Sequence, residues 1–386
     1  MSAKKIRRFL SVILSIILTA ALFGCKAPKS PAEPTLKDYY ADYFPVGAAL
    51  TNGAAVLYED LLPHFNSLTC ENDMKWEALQ PSAGAFSWSY ASTDNAGRLV
   101  DLAKANGMRI RGHALVWYRA MPSWVLPNGT TKERALERLR AHINAVVKHF
   151  GSDVYCWDVV NEAIKDSPSA SQVASGDIYR AGGEVSGAST ADWYAVCGKD
   201  YIKEAFIAAK AAVDEIGADI KLYYNDYGLN SASKRNAVIK MITELKSEGV
   251  TVDGVGMQAH YNVSGFKISD FENSVKAFTD MGLDVQVTEM DVSIYPWGAE
   301  SVRYEALPED IELIQAEVYG SVFEVLRNYS AVGSDGKGHV TGATFWGVAD
   351  DVTWLDDDPV RGRKNWPLIF DGEYSPKKAY YSIIDF

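Results

Sequence analysis

From Phe44 onward, short runs of apolar and β-branched residues alternate with longer stretches in which apolar positions recur every three or four residues. The first kind reads as strands and the second as helices. Eight strand-like runs follow one another: FPVGAAL, SLTCEND, MRIRGHALVW, VYCWDVVNEA, KLYYNDYG, VGMQAHY, DVQVTEMDV and GATFWGVAD. Among the intervening stretches, Glu133 to Phe150 places Leu136, Leu139, Ile143, Val146, Val147 and Phe150 on one helical face. Tyr201 to Ile216 is Ala-rich with apolar residues at the same spacing. Strands alternating with such helices imply parallel β-α-β units, and eight of them predict an α/β fold of one closed (β/α)8 TIM barrel. The stretch from Lys165 to Trp193 is rich in Ser, Gly and Ala without strong periodicity, which predicts a long loop after the fourth strand.

The N-terminus carries a different pattern. Lys4, Lys5, Arg7 and Arg8 precede an apolar run from Phe9 to Phe23, which predicts an export signal over residues 1–24. That run is too short for a comfortable transmembrane helix. Its end, Leu22-Phe23-Gly24-Cys25, resembles a bacterial lipoprotein signal, which implies cleavage before Cys25 and lipidation of that residue; ordinary cleavage or a retained anchor are the alternatives. Residues 25–37, rich in Pro and Lys, read as a lipidated Cys and tether, and residues 38–386 as the catalytic unit. The expected location is the cell surface or membrane, held there only through the lipid, or otherwise the medium.

Composition narrows the partners. Acidic residues outnumber basic ones 50 to 38, the formal charge is −12, and no basic block follows the N-terminus, so nucleic acid is an unsuited partner. Cys70, Cys156 and Cys197 cannot all pair within one chain, and their spacing matches no metal motif. Cys70 and Cys156, inside strand-like runs, are expected to be buried thiols. With no metal motif, phosphate loop or dinucleotide fingerprint, no cofactor is expected. The chain is expected to act as a monomer.

In a barrel of this kind the active site lies at the C-terminal ends of the strands. Those ends carry Glu71 and Asn72 on the second run, His113 and Trp117 on the third, Asn161 and Glu162 on the fourth, and Asn225, Asp226 and Tyr227 on the fifth. Gln258 and His260 end the sixth, Glu289 and Asp291 the seventh, and Trp346 the eighth. Scattered surface polarity would not gather at one end of successive strands. Glu162 and Glu289, distant in sequence, are placed to face each other across the barrel mouth, and a carboxyl pair around a wet cleft suits glycosidic bond cleavage: one protonates the leaving oxygen while the other attacks or activates water.

The stretches FNSLTCENDMKWEALQPSAGAFSWSYASTD, NGMRIRGHALVW, WDVVNEA, LYYNDY, GVGMQAH, VTEMD and PLIFDGEYSPKKAYYSI resemble those of the endo-β-1,4-xylanases of glycoside hydrolase family 10, over essentially all of residues 38–386. The resemblance implies xylan or xylo-oligosaccharides as substrate and a retaining mechanism, with Glu162 as general acid/base and Glu289 as nucleophile. It implies that Asn161 bonds the 2-hydroxyl of the reacting sugar and that His260 and Asp291 support the nucleophile. Glu71, Asn72 and Lys75 then match polar contacts to sugars on the glycone side, Lys75 being alternatively a salt-bridge partner of Glu71. His113, Trp117 and Gln258 match contacts around the reactive sugar, Trp346 and Trp354 an aromatic roof and wall, and Tyr227 an aglycone-side residue. Trp76, Trp88, Trp124 and Trp157 are expected in the core instead.

The chain departs from the family pattern after the third strand. Tyr118 stands where a His is expected, Arg119 where a small polar residue is, Ala120 in place of a sugar-binding Gln, and Gly228 in place of an Asn. Arg119 either points into solvent or engages an acidic side group such as glucuronate. A related retaining β-1,4-glucanase, a transglycosylase, and a surface glycan-binding lipoprotein without catalysis are the rival readings.

Overall fold

A computed structural model describes residues 33–51, 53, 57–88, 96–181 and 192–386. The export signal, Cys25 and the tether as far as residue 32 lie outside the described residues. The chain divides into two compact units, residues 1–34 and 35–386, and the second holds the barrel. Among the described residues, no helix is long and apolar enough to cross a membrane.

Among the described residues nine strands make the sheet: β1 (Val46–Leu50), β2 (Ser67–Cys70), β3 (Arg109–Gly112), β4 (Val154–Asn161), β5 (Lys221–Asp226), β6 (Gly254–Met257), β7 (His260–Asn262), β8 (Asp284–Ser293) and β9 (Val340–Phe345). Every ladder is parallel, consecutive strands from β1 to β6 are neighbours, β6 pairs with β8, and β9 pairs with both β8 and β1. The sheet therefore closes. Because β6 and β7 are two pieces of one barrel strand, this is the expected (β/α)8 barrel.

The ring helices follow from their sequence. Lys132–Phe150 starts where the Thr131 hydroxyl accepts from the Arg134 N–H (3.4 Å) and ends at Gly151, whose φ of +51° a side chain would resist. The six apolar residues picked out by helical spacing are all buried. Fully burying such a side chain contributes about 1.5–3 kcal/mol, so this face docks the helix on the sheet. Asp200–Ile216 packs beside it, closed by Gly217 at φ +67°.

Four boundaries differ from the sequence reading. The folded unit begins at Thr35 rather than Asp38, because Thr35 donates its N–H and its hydroxyl to Asp38 Oδ2 (both 2.7 Å) and Leu36 is fully buried. The third run is a strand only to Gly112; after a break its pairing with β4 resumes, Leu115 and Val116 donating to the carbonyls of Asp158 and Val159. The sixth run breaks at Gln258 and Ala259, the latter at φ +63°. The expected loop after β4 carries a helix, Ala170–Ser175, which Ser169 and Gln172 cap reciprocally; residues 182–191 lie outside the description.

The barrel interior is polar at its heart. Arg111, fully buried, forks onto the Asp158 carboxylate and donates its Nε to Gln286 Oε1 (2.9 Å). An unpaired buried charge would be costly, and here both partners are satisfied. Cys70, Cys156 and Cys197 are free and buried. Trp76 and Trp157 are buried and Trp88 and Trp124 pack against the core, as the sequence reading expected.

Candidate active site

A cavity of about 900 Å³ opens at the C-terminal ends of the strands. Of the residues singled out in the sequence, Glu71, Asn72, Lys75, His113, Trp117, Asn161, Glu162, Tyr227, Gln258, His260, Glu289, Trp346 and Trp354 all line it, and Asp291 stands behind His260. Cys25 is outside the described residues.

Glu162 follows the last residue of β4 with φ +58°, a conformation that costs a non-glycine residue about 1–3 kcal/mol. Three contacts hold it there. Its N–H donates to the Asn225 carbonyl (2.9 Å), the next N–H, of Ala163, donates to the Tyr224 hydroxyl (3.0 Å), and its own carbonyl accepts from Arg180 Nε (3.0 Å). The turn aims the carboxylate into the cavity, where Oε1 accepts from Gln258 Nε2 (2.9 Å) and Asn161 Nδ2 (3.2 Å) and Oε2 from Trp117 Nε1 (2.9 Å).

Glu289 is buried within β8. Its Oε1 accepts from Asn225 Nδ2 (2.7 Å), and its Oε2 lies 3.2 Å from His260 Nε2. Asp291 Oδ2 lies 2.9 Å from His260 Nδ1 and also accepts from Trp354 Nε1 (2.8 Å). Burial by itself depresses the His260 imidazole, but Asp291 and then Glu289 overcome it and push its pKa up to about 10. Burial likewise raises Glu289, and the charges of His113 and His260 outweigh it, holding this carboxyl below the usual range. Glu289 is thus kept ionised, facing an imidazole whose pKa is pushed above neutral.

Asn225 joins the two halves. Its Nδ2 donates to Asn161 Oδ1 (2.8 Å) as well as to Glu289, and its Oδ1 accepts from Thr288 Oγ1 (2.7 Å). Space for it comes from Gly256 on β6: a Cβ there would sit 2.2 Å from Asn225 Oδ1. The break after β6 serves the same end. It lets Gln258 reach Glu162 while His260, paired in register with Asp291, reaches Glu289.

The polar side of the cleft is tightly tied. Lys75 donates to Asn72 Oδ1 (2.7 Å) and lies 5.0 Å from the Trp117 ring. Its contact is thus with Asn72 rather than an ion pair with Glu71. Burial raises the Glu71 carboxyl, with Lys75 opposing, and burial lowers the Lys75 amine. His113 Nδ1 lies 2.9 Å from Asp158 Oδ2, and Trp346 is packed edge-on to His113 and His260. Among the described residues, no group of three or more His, Cys, Asp or Glu side chains is arranged to hold a metal ion.

Two features had little sequence signal. Trp297, 62 % exposed, lines the rim from the loop after β8. Arg180, in the aperiodic stretch after β4, is buried beneath the cleft; its Nη2 is within hydrogen-bond distance of the Ile164 carbonyl (2.9 Å), Asp166 Oδ1 (2.7 Å) and the Tyr227 hydroxyl (2.9 Å). It therefore grips the backbone at and just beyond the strained Glu162 turn, and the Tyr227 hydroxyl, at once. Arg180→Ala should lower turnover on polymer roughly tenfold to a hundredfold, the scale set by a small misplacement of a reacting group. Turnover within a factor of two of the parent, at equal melting temperature, would show that the turn holds itself.

Comparison with known proteins gives a consistent neighbourhood. The family described as "Glycosyl hydrolase family 10" matches residues 35–386. A protein named "Beta-1,4-xylanase" from Dictyoglomus thermophilum is 42 % identical over 377 residues, spanning 97 % of each chain. "Endo-1,4-beta-xylanase A" of Caldicellulosiruptor saccharolyticus is 37 % identical over 360 residues, covering 91 % of this chain and 96 % of its own. Among solved structures, a mutant in complex with xylotriose superposes with a TM-score of 0.79 at 34 % identity, over 92 % of this chain and all of the other.

Proposed function

The chain belongs to glycosyl hydrolase family 10, and from that premise we propose that it is an endo-β-1,4-xylanase working with net retention. The observation that carries the proposal is one cavity in which a held-ionised Glu289 on β8 and a Glu162 at the end of β4 are linked through a single amide, that of Asn225, which bonds Glu289 and the Asn161 neighbouring Glu162.

In this mechanism Glu289 attacks the anomeric carbon of the sugar while Glu162 gives its proton to the departing glycosidic oxygen. The ionised state of Glu289 supplies the electron pair, and its ester then holds the glycone half. Glu162, left as a carboxylate once it has given up its proton, then takes a proton from the water that attacks from the vacated side. Asn161 is assigned the 2-hydroxyl, where its bond strengthens as the ring flattens toward the oxocarbenium-like state. His260, steadied by Asp291, orients the nucleophile and limits its basicity. Glu71, Asn72, Lys75, His113, Trp117 and Gln258 bind hydroxyls, and Trp346, Trp354 and Tyr227 offer ring faces to the apolar C–H surfaces of sugars.

Mixed with soluble xylan, the enzyme should cut internally, seen as a fall in viscosity that outruns reducing-sugar release, with product first appearing as the β-anomer. Carboxymethyl cellulose should be a poor substrate, because glucose carries a hydroxymethyl group that xylose lacks. Equal rates on the two polymers would shift the assignment to a β-1,4-glucanase. Binding without any cleavage would mean a glycan-binding protein.

A further inference from the structure

Among the described residues that line the cleft, three side chains are cationic: His260, which is committed to Asp291 and Glu289, and the pair Lys75 and Arg119. The last two differ in one respect. Lys75 is committed to Asn72, whereas Arg119 is exposed and, among the described residues, forms no ion pair. Its guanidinium lies 5.6 Å from the centre of the Tyr118 ring, and that ring also has Arg180 at 5.1 Å. Arg180 is bound by Asp166 and two carbonyls, so it is the Arg119 fork that is left unanswered.

The backbone that carries the fork is held in place. Ala120, the next residue, sits at φ +48°, and its carbonyl accepts from the Glu77 N–H (3.0 Å). On the other side, Tyr118 packs against Trp117 (5.7 Å between rings), whose indole donates to Glu162. The backbone of Arg119 is thereby fixed at the cleft wall, two residues from a contact of Glu162.

A cation so placed has no use for a neutral xylose backbone beyond an ordinary hydroxyl contact. The net charge of −12 makes the protein as a whole repel an anionic polymer. An arginine fork matches a carboxylate with two parallel hydrogen bonds. We propose that Arg119 forms a subsite for the carboxylate of a uronic acid branch, so that the enzyme favours acid-substituted xylan over its neutral counterpart. This rests on the xylanase reading of the same cleft.

Three substrates test it: a linear xylo-oligosaccharide, the same backbone with one uronic acid branch, and the methyl ester of that branched compound, which keeps the shape and removes the charge. In the parent enzyme the kcat/KM ratio of acid to ester should be about ten, the strength of a charge-assisted contact in a wet cleft. The ratio should fall toward one in Arg119→Ala and lie between in Arg119→Lys, which keeps the charge and loses the fork. Added salt should shrink it in the parent and leave it unchanged in the alanine variant. An acid-to-ester ratio that is the same in the parent and in Arg119→Ala overturns the subsite. If the parent fails to cleave even the linear compound, the xylanase reading falls and takes the subsite with it.

Discussion

Glu289→Ala should reduce hydrolysis of xylan by a factor on the order of 10⁵ while leaving the barrel folded, because in the proposed mechanism it removes the group that forms the sugar ester. The fold should survive for a stated reason: the lost carboxylate is buried, and its partners His260 and Asn225 keep other acceptors in Asp291 and Asn161. Small anions offer a sharper reading than the rate alone. Azide admitted to the space left by the side chain can attack from that same face and give an α-glycosyl azide, in a single displacement with inversion. Residual activity near that of the parent would remove Glu289 from the reaction.

Glu162→Ala should behave differently on different substrates. On xylan the leaving alkoxide needs a proton, and losing a positioned general acid costs roughly 10²–10⁴-fold. With an aryl xyloside whose phenol departs unaided, the first step should proceed at nearly parental speed, and the ester on Glu289 should accumulate because no base remains to activate water. A burst of phenol followed by slow turnover is the expected trace. Azide, which needs no base, should lift the slow phase and give a β-azide. Losses of equal size on both substrates would mean that Glu162 shapes the cleft rather than moving a proton. The opposite anomers from the two variants also assign the two faces of the sugar, a distinction that rates cannot make.

Why were some of these positions legible in the chain and others not? Strands read well because parallel barrel strands are buried on both sides and stand out as unbroken apolar runs, and the chemistry had to appear where those runs end. Glu162 and Glu289 were visible on that ground, as were Asn161, His260 and Gln258. Asn225 was seen as a strand-end residue, but its bridging amide depends on the missing side chain at Gly256, a relation between neighbouring strands that no single run displays. Arg180 lay in a stretch without periodicity, and two of its partners are carbonyls, which every residue owns. The breaks after Gly112 and Met257 were hidden because each falls inside one continuous run of the chain and the pairing resumes just beyond it. Leu36 looked like tether because a single helical turn is too short to show a period; its burial comes from tertiary contact.

The closure of the ladder from β6 onto β8 and from β9 back onto β1 matters beyond the cleft. An open sheet ends in a row of donors and acceptors that invite a strand from another molecule, and long-lived proteins must guard that border. Here the rungs of the described strands run all the way round the barrel, which leaves it no border to guard. Among the described residues, strand addition to the barrel therefore has no open edge on which to begin.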